Sequence, residues 1–461
     1  MTPISDDGIA LDIATSKRAP QPLGVPEVTT TAMEAFSCLA ERCPDTCCRD
    51  WAVPIDRPGL EQMKAALGST TKGRDRLVHL VVLGRPSRHA DDATYIRMDE
   101  SGDCPLLETD NRCGVHAALG EQALTTACSV FPRTALAVED RIEVGGSLAC
   151  PEVARLTLLS EQELHLRAAT KPMLTRTYIG KTITFDVTDA YAHHFIDARA
   201  ALLDCFRRSQ KLGTNLVVAA DLAERLRAFF YAGTREFEGA QKPFAERRLH
   251  AEIEETNIES LQLALERDLD ALDTSGEVVT GLVATFLLER RRLPHSSRFS
   301  DLLDRILASA ARENPELPVG TDAAVTPEAL WRAYARRRDL LAARLDGRSA
   351  RIFRNYCQHF LMRNPYTDFP TLLEYLYRLA IHLAAIRLLT VLHPDLETRL
   401  SARPDHESDL EVFDRVAVGV IQTFTKAIGH HPDYLDAALR RSTSESSGFT
   451  FGRLVLLAKF V

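Results

Sequence analysis

Phe36-Ser37-Cys38-Leu39-Ala40-Glu41-Arg42-Cys43-Pro44-Asp45-Thr46-Cys47-Cys48 packs four cysteines into one short run. Working outward, Cys104, Cys113, Cys128 and Cys150 follow, so eight of the ten cysteines lie between Cys38 and Cys150. Only Cys205 and Cys357 are left for the remainder of the chain. Thiolates are soft ligands that select zinc, copper or iron–sulfur clusters. The clustering therefore predicts an irregular module organised around a metal centre, with Cys38, Cys43, Cys47, Cys48, Cys104, Cys113, Cys128 and Cys150 as its candidate ligands.

A disulfide framework is the competing use of many cysteines, and the compartment decides between the two. Met1-Thr2-Pro3-Ile4-Ser5-Asp6-Asp7 is acidic where a secretory signal would be basic, and no apolar core or cleavage site follows. The expectation is a cytoplasmic protein, where grouped cysteines bind metal or act in catalysis. Net charge is −8, so nothing global points to nucleic acid. Arg290-Arg291-Arg292 and Arg336-Arg337-Arg338 are read as solvated faces of helices. The most apolar segment, 371–392, is interrupted by Glu374, Arg378, His382 and Arg387, which a bilayer tolerates poorly. It predicts a buried helix and no membrane span.

The spacing leaves the metal open. Zinc knuckles draw ligands two to four residues apart, which suits Cys43 and Cys47 but not Cys104 and Cys113. Cys43-Pro44, Cys104-Pro105 and Cys150-Pro151 are Cys-Pro steps of the kind seen in ferredoxin ligand runs. The Cys-x3-Cys-x2-Cys of radical S-adenosylmethionine enzymes fails, because position 50 is Asp50. There is no Gly-x-Gly turn, P-loop or nucleophile elbow. Two plainer readings stand beside these. Adjacent Cys47 and Cys48 seldom both reach one metal, and Cys128, at helical spacing from Leu124 and Phe131, suits a core position. His89 and His116 lie near the module without a ligand pattern.

Residues 1–30 are rich in proline and threonine, without periodicity, and predict a flexible tail. Residues 31–190 form the cysteine-rich module. Within it, Thr94-Tyr95-Ile96-Arg97-Met98 alternates as a strand, 134–138 and 142–148 resemble a hairpin, and 178–187 is a further β-branched run. Residues 191–461 form a helical domain. Ala198, Leu202, Cys205 and Phe206 share one helix face, and Phe353, Tyr356, Cys357, Phe360 and Leu361 another, so Cys205 and Cys357 are assigned to packing. The fold class expected is mainly α: a small irregular α+β cysteine module followed by a large α-helical domain.

The stretch Cys38-x4-Cys43-Pro44-Asp45-Thr46-Cys47-Cys48-x2-Trp51, with Ile55-Asp56 behind it, resembles the signature of the flagellin lysine-N-methylase family. The match continues through Cys104-Pro105-Leu106-Leu107, Cys113, Leu119-Gly120-Glu121, Cys128-x2-Phe131-Pro132-Arg133 and Ser147-Leu148-Ala149-Cys150-Pro151-Glu152-Val153-Ala154-Arg155. It is strong over about 31–156 and lies mainly in helical texture beyond. A more distant resemblance is to small bacterial zinc- or iron-chelating domains with a CC motif.

Membership implies transfer of a methyl group from S-adenosylmethionine to lysine side chains of a protein substrate, flagellin. It also implies an iron–sulfur centre, [4Fe–4S], held by some of the matched cysteines, with zinc as the alternative metal. The resemblance does not say which four of the eight would bind. No residue is assigned as catalytic or as holding the methyl donor: Asp56, Tyr95 and Glu152 lie in or near matched stretches, and each is equally readable as structural. The alternative function is a non-enzymatic zinc or iron–sulfur module joined to a helical interaction domain, which would not bind S-adenosylmethionine.

Overall fold

The structure is a computed structural model that describes residues 25–49, 53–68, 81–82, 92–174, 179–186, 189–207, 211–230, 258–272, 276–291, 297–312, 326–429 and 447–461, with isolated positions between them. Most of the expected tail, Trp51, His89 and the ends of the 178–187 run lie outside the described residues. The last residues of that tail, Glu27–Thr29, form strand β1.

The chain is mainly α, as the helical texture predicts. Its N-terminal part carries two small sheets. β2 (Pro54–Asp56), β3 (Val81–Val82) and β4 (Asp92–Ile96) form an antiparallel sheet in the order β2-β4-β3. The expected strand at 94–98 is thus β4, and it buries Thr94 and Ile96 while Tyr95 is only partly covered, the alternation of a half-buried strand. β5 (Arg133–Val138) and β6 (Arg141–Gly146) are the anticipated hairpin, turning at Glu139, which adopts a left-handed φ of 50°. With β7 (Arg167–Ala168) and β8 (Lys181–Ile183) they build a mixed sheet, β7-β1-β6-β5-β8.

Short helices thread between the strands: α1 (Thr31–Glu34), α2 (Arg57–Gly68), α3 (Gly114–Leu119), α4 (Thr126–Val130) and α5 (Pro151–Leu158). Pro151 occupies the first turn of α5, where its missing N–H costs no hydrogen bond. Then come α6 (Ala190–His193), α7 (Phe195–Cys205), α8 (Leu212–Phe230), α9 (Ile258–Ala271), α10 (Gly276–Arg291), α11 (Ser297–Ala311), α12 (Pro327–Arg363), α13 (Leu372–Val391), α14 (Pro394–Ser401), α15 (His406–Phe424) and α16 (Ser447–Phe460).

α13 is the hub. Thr371 caps it, its Oγ1 accepting from Glu374 N at 3.1 Å. All its residues except Glu374, Arg378 and Arg387 are buried, because α8, α10, α12, α15 and α16 surround it. This is the buried helix expected of 371–392, and no single helix among the described residues is long and apolar enough to cross a membrane.

The two basic runs correct the expectation of solvated faces. Arg290 is 1% exposed and donates to Ala427 O at 2.7 Å. Arg337, also 1% exposed, donates to Ser309 and Leu392 O and pairs with Glu397 at 3.0 Å. Neighbouring helical residues point roughly 100° apart, so a packed helix turns one arginine of such a run to the interior; Arg292 lies outside the described residues.

The hydrophobic cores do not divide where the chain texture changes. One core runs from Met33, the β5–β6 hairpin and α5 through the helices to Phe460. A smaller one gathers Val53, Ile55, Met63, Ile96, Cys104, Leu106, Val115, Ala123 and Leu124. Cys205 and Cys357 lie in the large core, each fully buried, as packing residues.

Candidate metal centre

The cysteine loops have little regular structure, so hydrogen bonds from backbone and acidic side chains set their course. Cys104 N donates to Cys48 O at 2.7 Å, which ties the first cysteine run to the second directly. Arg49 pairs with Asp103 beside that link. Asp99 Oδ1 accepts from the N–H groups of Ser101 and Asp103, forming the turn that leads to Cys104. Leu107 N donates to Cys104 O and Gly114 N to Leu106 O, so the chain doubles back and brings Cys113 to the start of α3. Cys150 stands at the start of α5.

These turns converge. All eight cysteines from Cys38 to Cys150 line one cavity of about 400 Å³, walled by residues of the small core and by Phe36, Phe131 and Pro132. Spacing along the chain could not show this, because the partners of the isolated cysteines are supplied by chain reversal.

Within the cavity the thiols form two groups. Cys47, Cys104 and Cys113 each hydrogen-bond to Cys48. Those bonds hold the Cys48 thiol far below the usual cysteine range, while donation to Cys48 and then burial push Cys104 and Cys113 far above it. Cys47 is raised by the same bond. Cys48 is thus the thiol of this group that gives up its proton most readily. Cys128 lies near it and burial raises its thiol to about 11. Its N–H donates to the Thr125 Oγ1 cap of α4, and its side chain lines the cavity although its spacing equally suits a core site.

Cys38, Cys43 and Cys150 make up the second group, with Cys43 and Cys38 the thiols beside Cys150. Burial raises Cys150 to about 11 against the N–H groups of Val153 and Glu152. Cys43 Sγ donates to Asp45 O at 3.0 Å. The donor chemistry throughout is that of a soft-metal site. Among the described residues, no three His, Cys, Asp or Glu side chains stand in ready ligating position.

Asp45, inside the Cys43–Cys47 loop, is 2% exposed at its side chain, and the helical part of the chain neutralises it. Lys426 Nζ lies 3.1 and 3.0 Å from its two oxygens and also donates to Thr46 O at 2.9 Å. Gln422 Nε2 donates to Asp45 Oδ2 at 2.7 Å and to Ala149 O at 2.9 Å, binding the loops before Cys47 and Cys150 to α15. Arg298 pairs with Oδ1 at 2.9 Å. Lys426 sits in a π-helical turn, Thr425–Gly429, that follows α15. Sequence reasoning missed this set. Its one trace is that Lys426 is the only charged residue in the run 416–428.

The other singled-out residues have structural partners. Asp56 Oδ1 accepts from Gly59 N at 3.1 Å, capping α2, and Oδ2 accepts from Thr126 Oγ1. Glu152 is held by Arg155 through two bonds of 2.8 Å in the first turns of α5. Tyr95 lies on β4, opposite Pro54.

Residues 207–457, more than half of the chain, match the profile of the FliB lysine N-methylase C-terminal domain. The chain belongs to the FliB lysine N-methylase family. It is 32% identical over 133 residues to a lysine-N-methylase of Salmonella typhimurium, a stretch covering 28% of this chain and 32% of the relative. A lysine-N-methylase of Salmonella choleraesuis matches to the same extent. The flagellar biosynthetic protein FliU of Salmonella muenchen is 27% identical over 170 residues, 35% of this chain and 97% of that protein. The chain therefore spans about a third of the length of the lysine-N-methylases it matches. No solved structure matches this FliB-family chain.

Proposed function

We propose that this chain is an S-adenosylmethionine-dependent protein-lysine N-methyltransferase acting on flagellin, with an iron–sulfur centre of the [4Fe–4S] type in the thiol-lined cavity. The observation that carries the proposal is the convergence of eight cysteines on one cavity, in a chain of the FliB family. Cys48, with Cys104 and Cys113 gathered around it, together with Cys47 or Cys128, are the residues that would hold the cluster. Ligation requires thiolates, so loading would release the protons of the thiols that burial and their neighbours hold above the usual range, Cys104 and Cys113 among them. When bound, such a cluster supplies redox-active iron and, by linking separate loops, folding free energy.

Methylation forms an N–C bond as the S–C bond of the sulfonium breaks, and only the neutral amine has the lone pair to do so. An ordinary lysine titrates near ~10.4, so the site must desolvate the incoming ammonium or remove its proton. The largely apolar wall of Val53, Met63, Ile96, Leu106 and Leu124 supplies such desolvation. Family membership, the absence of a nucleic-acid charge signature and the flagellar name of one relative support a protein substrate.

The test is anaerobic purification with iron, sulfide and zinc assays, followed by incubation with flagellin and labelled S-adenosylmethionine. The expected result is about four irons and four sulfides per chain and label on lysine. Cys48→Ser is expected to lose the iron, whereas Cys150→Ser and Cys205→Ala retain it. Stoichiometric zinc without sulfide and no label transfer would overturn the proposal in favour of a non-enzymatic metal module.

A further inference from the structure

A second cavity, of about 620 Å³, adjoins the cysteine cavity and shares Leu39, Asp45, Pro151 and Glu152 with it as a common wall. It lies between α11, α15 and the cysteine loop, and its volume falls within the range of small-molecule sites. Its lining combines an apolar floor with charges of both signs. Asp395 pairs with Arg415 at 3.0 Å and with Arg305 at 3.1 Å, and Arg298 and Asp301 belong to the same lining.

Gly419 belongs to this lining, well inside α15. Glycine weakens a helix interior, and its usual justification is a close neighbour that a Cβ would strike. Here a Cβ would meet nothing within 4 Å, so packing does not explain the residue. What its missing side chain does is leave the helix backbone open to the cavity.

We infer that this second cavity seats the methyl donor, S-adenosylmethionine, an inference that rests on the methyltransferase reading above. The donor carries an amino-acid head with one carboxylate and one ammonium, which suit Arg415 or Arg298 on one hand and Asp301 or Asp395 on the other. Its adenosyl part suits the apolar floor, over the backbone that Gly419 leaves bare. The common wall sets this cavity directly beside the one that collects the thiols.

S-adenosylhomocysteine, the unreactive product, is the probe, titrated by calorimetry into the full chain purified anaerobically with its metal. The wild type should bind, Gly419→Phe should weaken binding at least tenfold, and Asp301→Lys should weaken it as well. Gly419→Ala should melt higher than the wild type, since a methyl group has room and helix propensity favours it, and it serves as the second variant should Phe not fold. Binding unchanged in Gly419→Phe and Asp301→Lys would overturn the placement and leave the methyltransferase reading standing. Loss in these variants of flagellin-peptide binding alone, with product binding intact, would reassign the cavity to the acceptor lysine. A wild type that transfers no methyl group and binds no product would overturn both.

Discussion

Asp45 accepts from Lys426 and Gln422 and pairs with Arg298, all from elements more than 250 positions away in the chain. A buried carboxylate is tolerable only when its charge is compensated in this way. Removing Lys426 as Lys426→Met leaves the carboxylate with the half-exposed Arg298 as its cation, and destabilisation of about 3 kcal/mol is expected in a denaturant titration. In the Asp45→Asn, Lys426→Met double variant most of that loss should return, because the uncompensated charge is gone. A double variant as unstable as the sum of the two singles would show that the pair does not interact. Asp45 is legible as a residue of the cysteine motif. Lys426 is not, since no local pattern says that a lone lysine will meet a motif at the other end of the chain.

Among the elements, those with a local signature came through best. The β5–β6 hairpin follows from two alternating runs on either side of Glu139-Asp140. α13 follows from the most apolar segment of the chain, 371–392, and the structure adds the Thr371 cap that starts it. What no pattern announces is how one element finishes another. Asn355 of α12 donates through Nδ2 to Thr157 O, Leu158 O and Ser160 O, closing the C-terminal end of α5. α5 begins at Cys150, so this cap also steadies the wall of the cysteine cavity. Asn355→Ala should cost about 1–3 kcal/mol by leaving buried carbonyls unpaired. Thermal melts will read it, and a change in melting temperature within error would mean that water replaces the amide.

The whole molecule binds its sheet to its helices through charge as well as apolar burial. Glu143 of β6 and Arg199 of α7 are both buried and joined by two bonds of 2.6 and 2.7 Å. Where the hairpin, α12 and α13 meet, two histidines are kept neutral. His359 donates from Nε2 to Gly146 O at 2.8 Å, and burial, with the Arg363 guanidinium nearby, lowers its pKa to about 4. His382 is lowered by burial and by Arg378. In the unfolded chain such histidines titrate near ~6.5. Stability from His359 is therefore complete above that pH and falls as the pH drops from ~6.5 to about 4, by up to about 1.4 kcal/mol per pH unit, and His382 contributes in the same direction. Urea titrations across this window should show that slope, and His359→Gln should flatten it; an unchanged slope would place the proton uptake elsewhere.

The sequence by itself determined the class of this protein and the identity of its chemical groups: mainly helical texture, the hairpin, the buried α13 and a concentration of thiols too dense to be packing. These are local properties, carried by periodicity, caps and residue type. Only the tertiary structure decided that the isolated Cys104, Cys113, Cys128 and Cys150 share one cavity with the first run, that Arg290 and Arg337 turn inward, and that Lys426 neutralises Asp45. Each of those depends on which distant surfaces pack together. That choice is made by burial and charge compensation summed over the molecule, and no window of the sequence contains it.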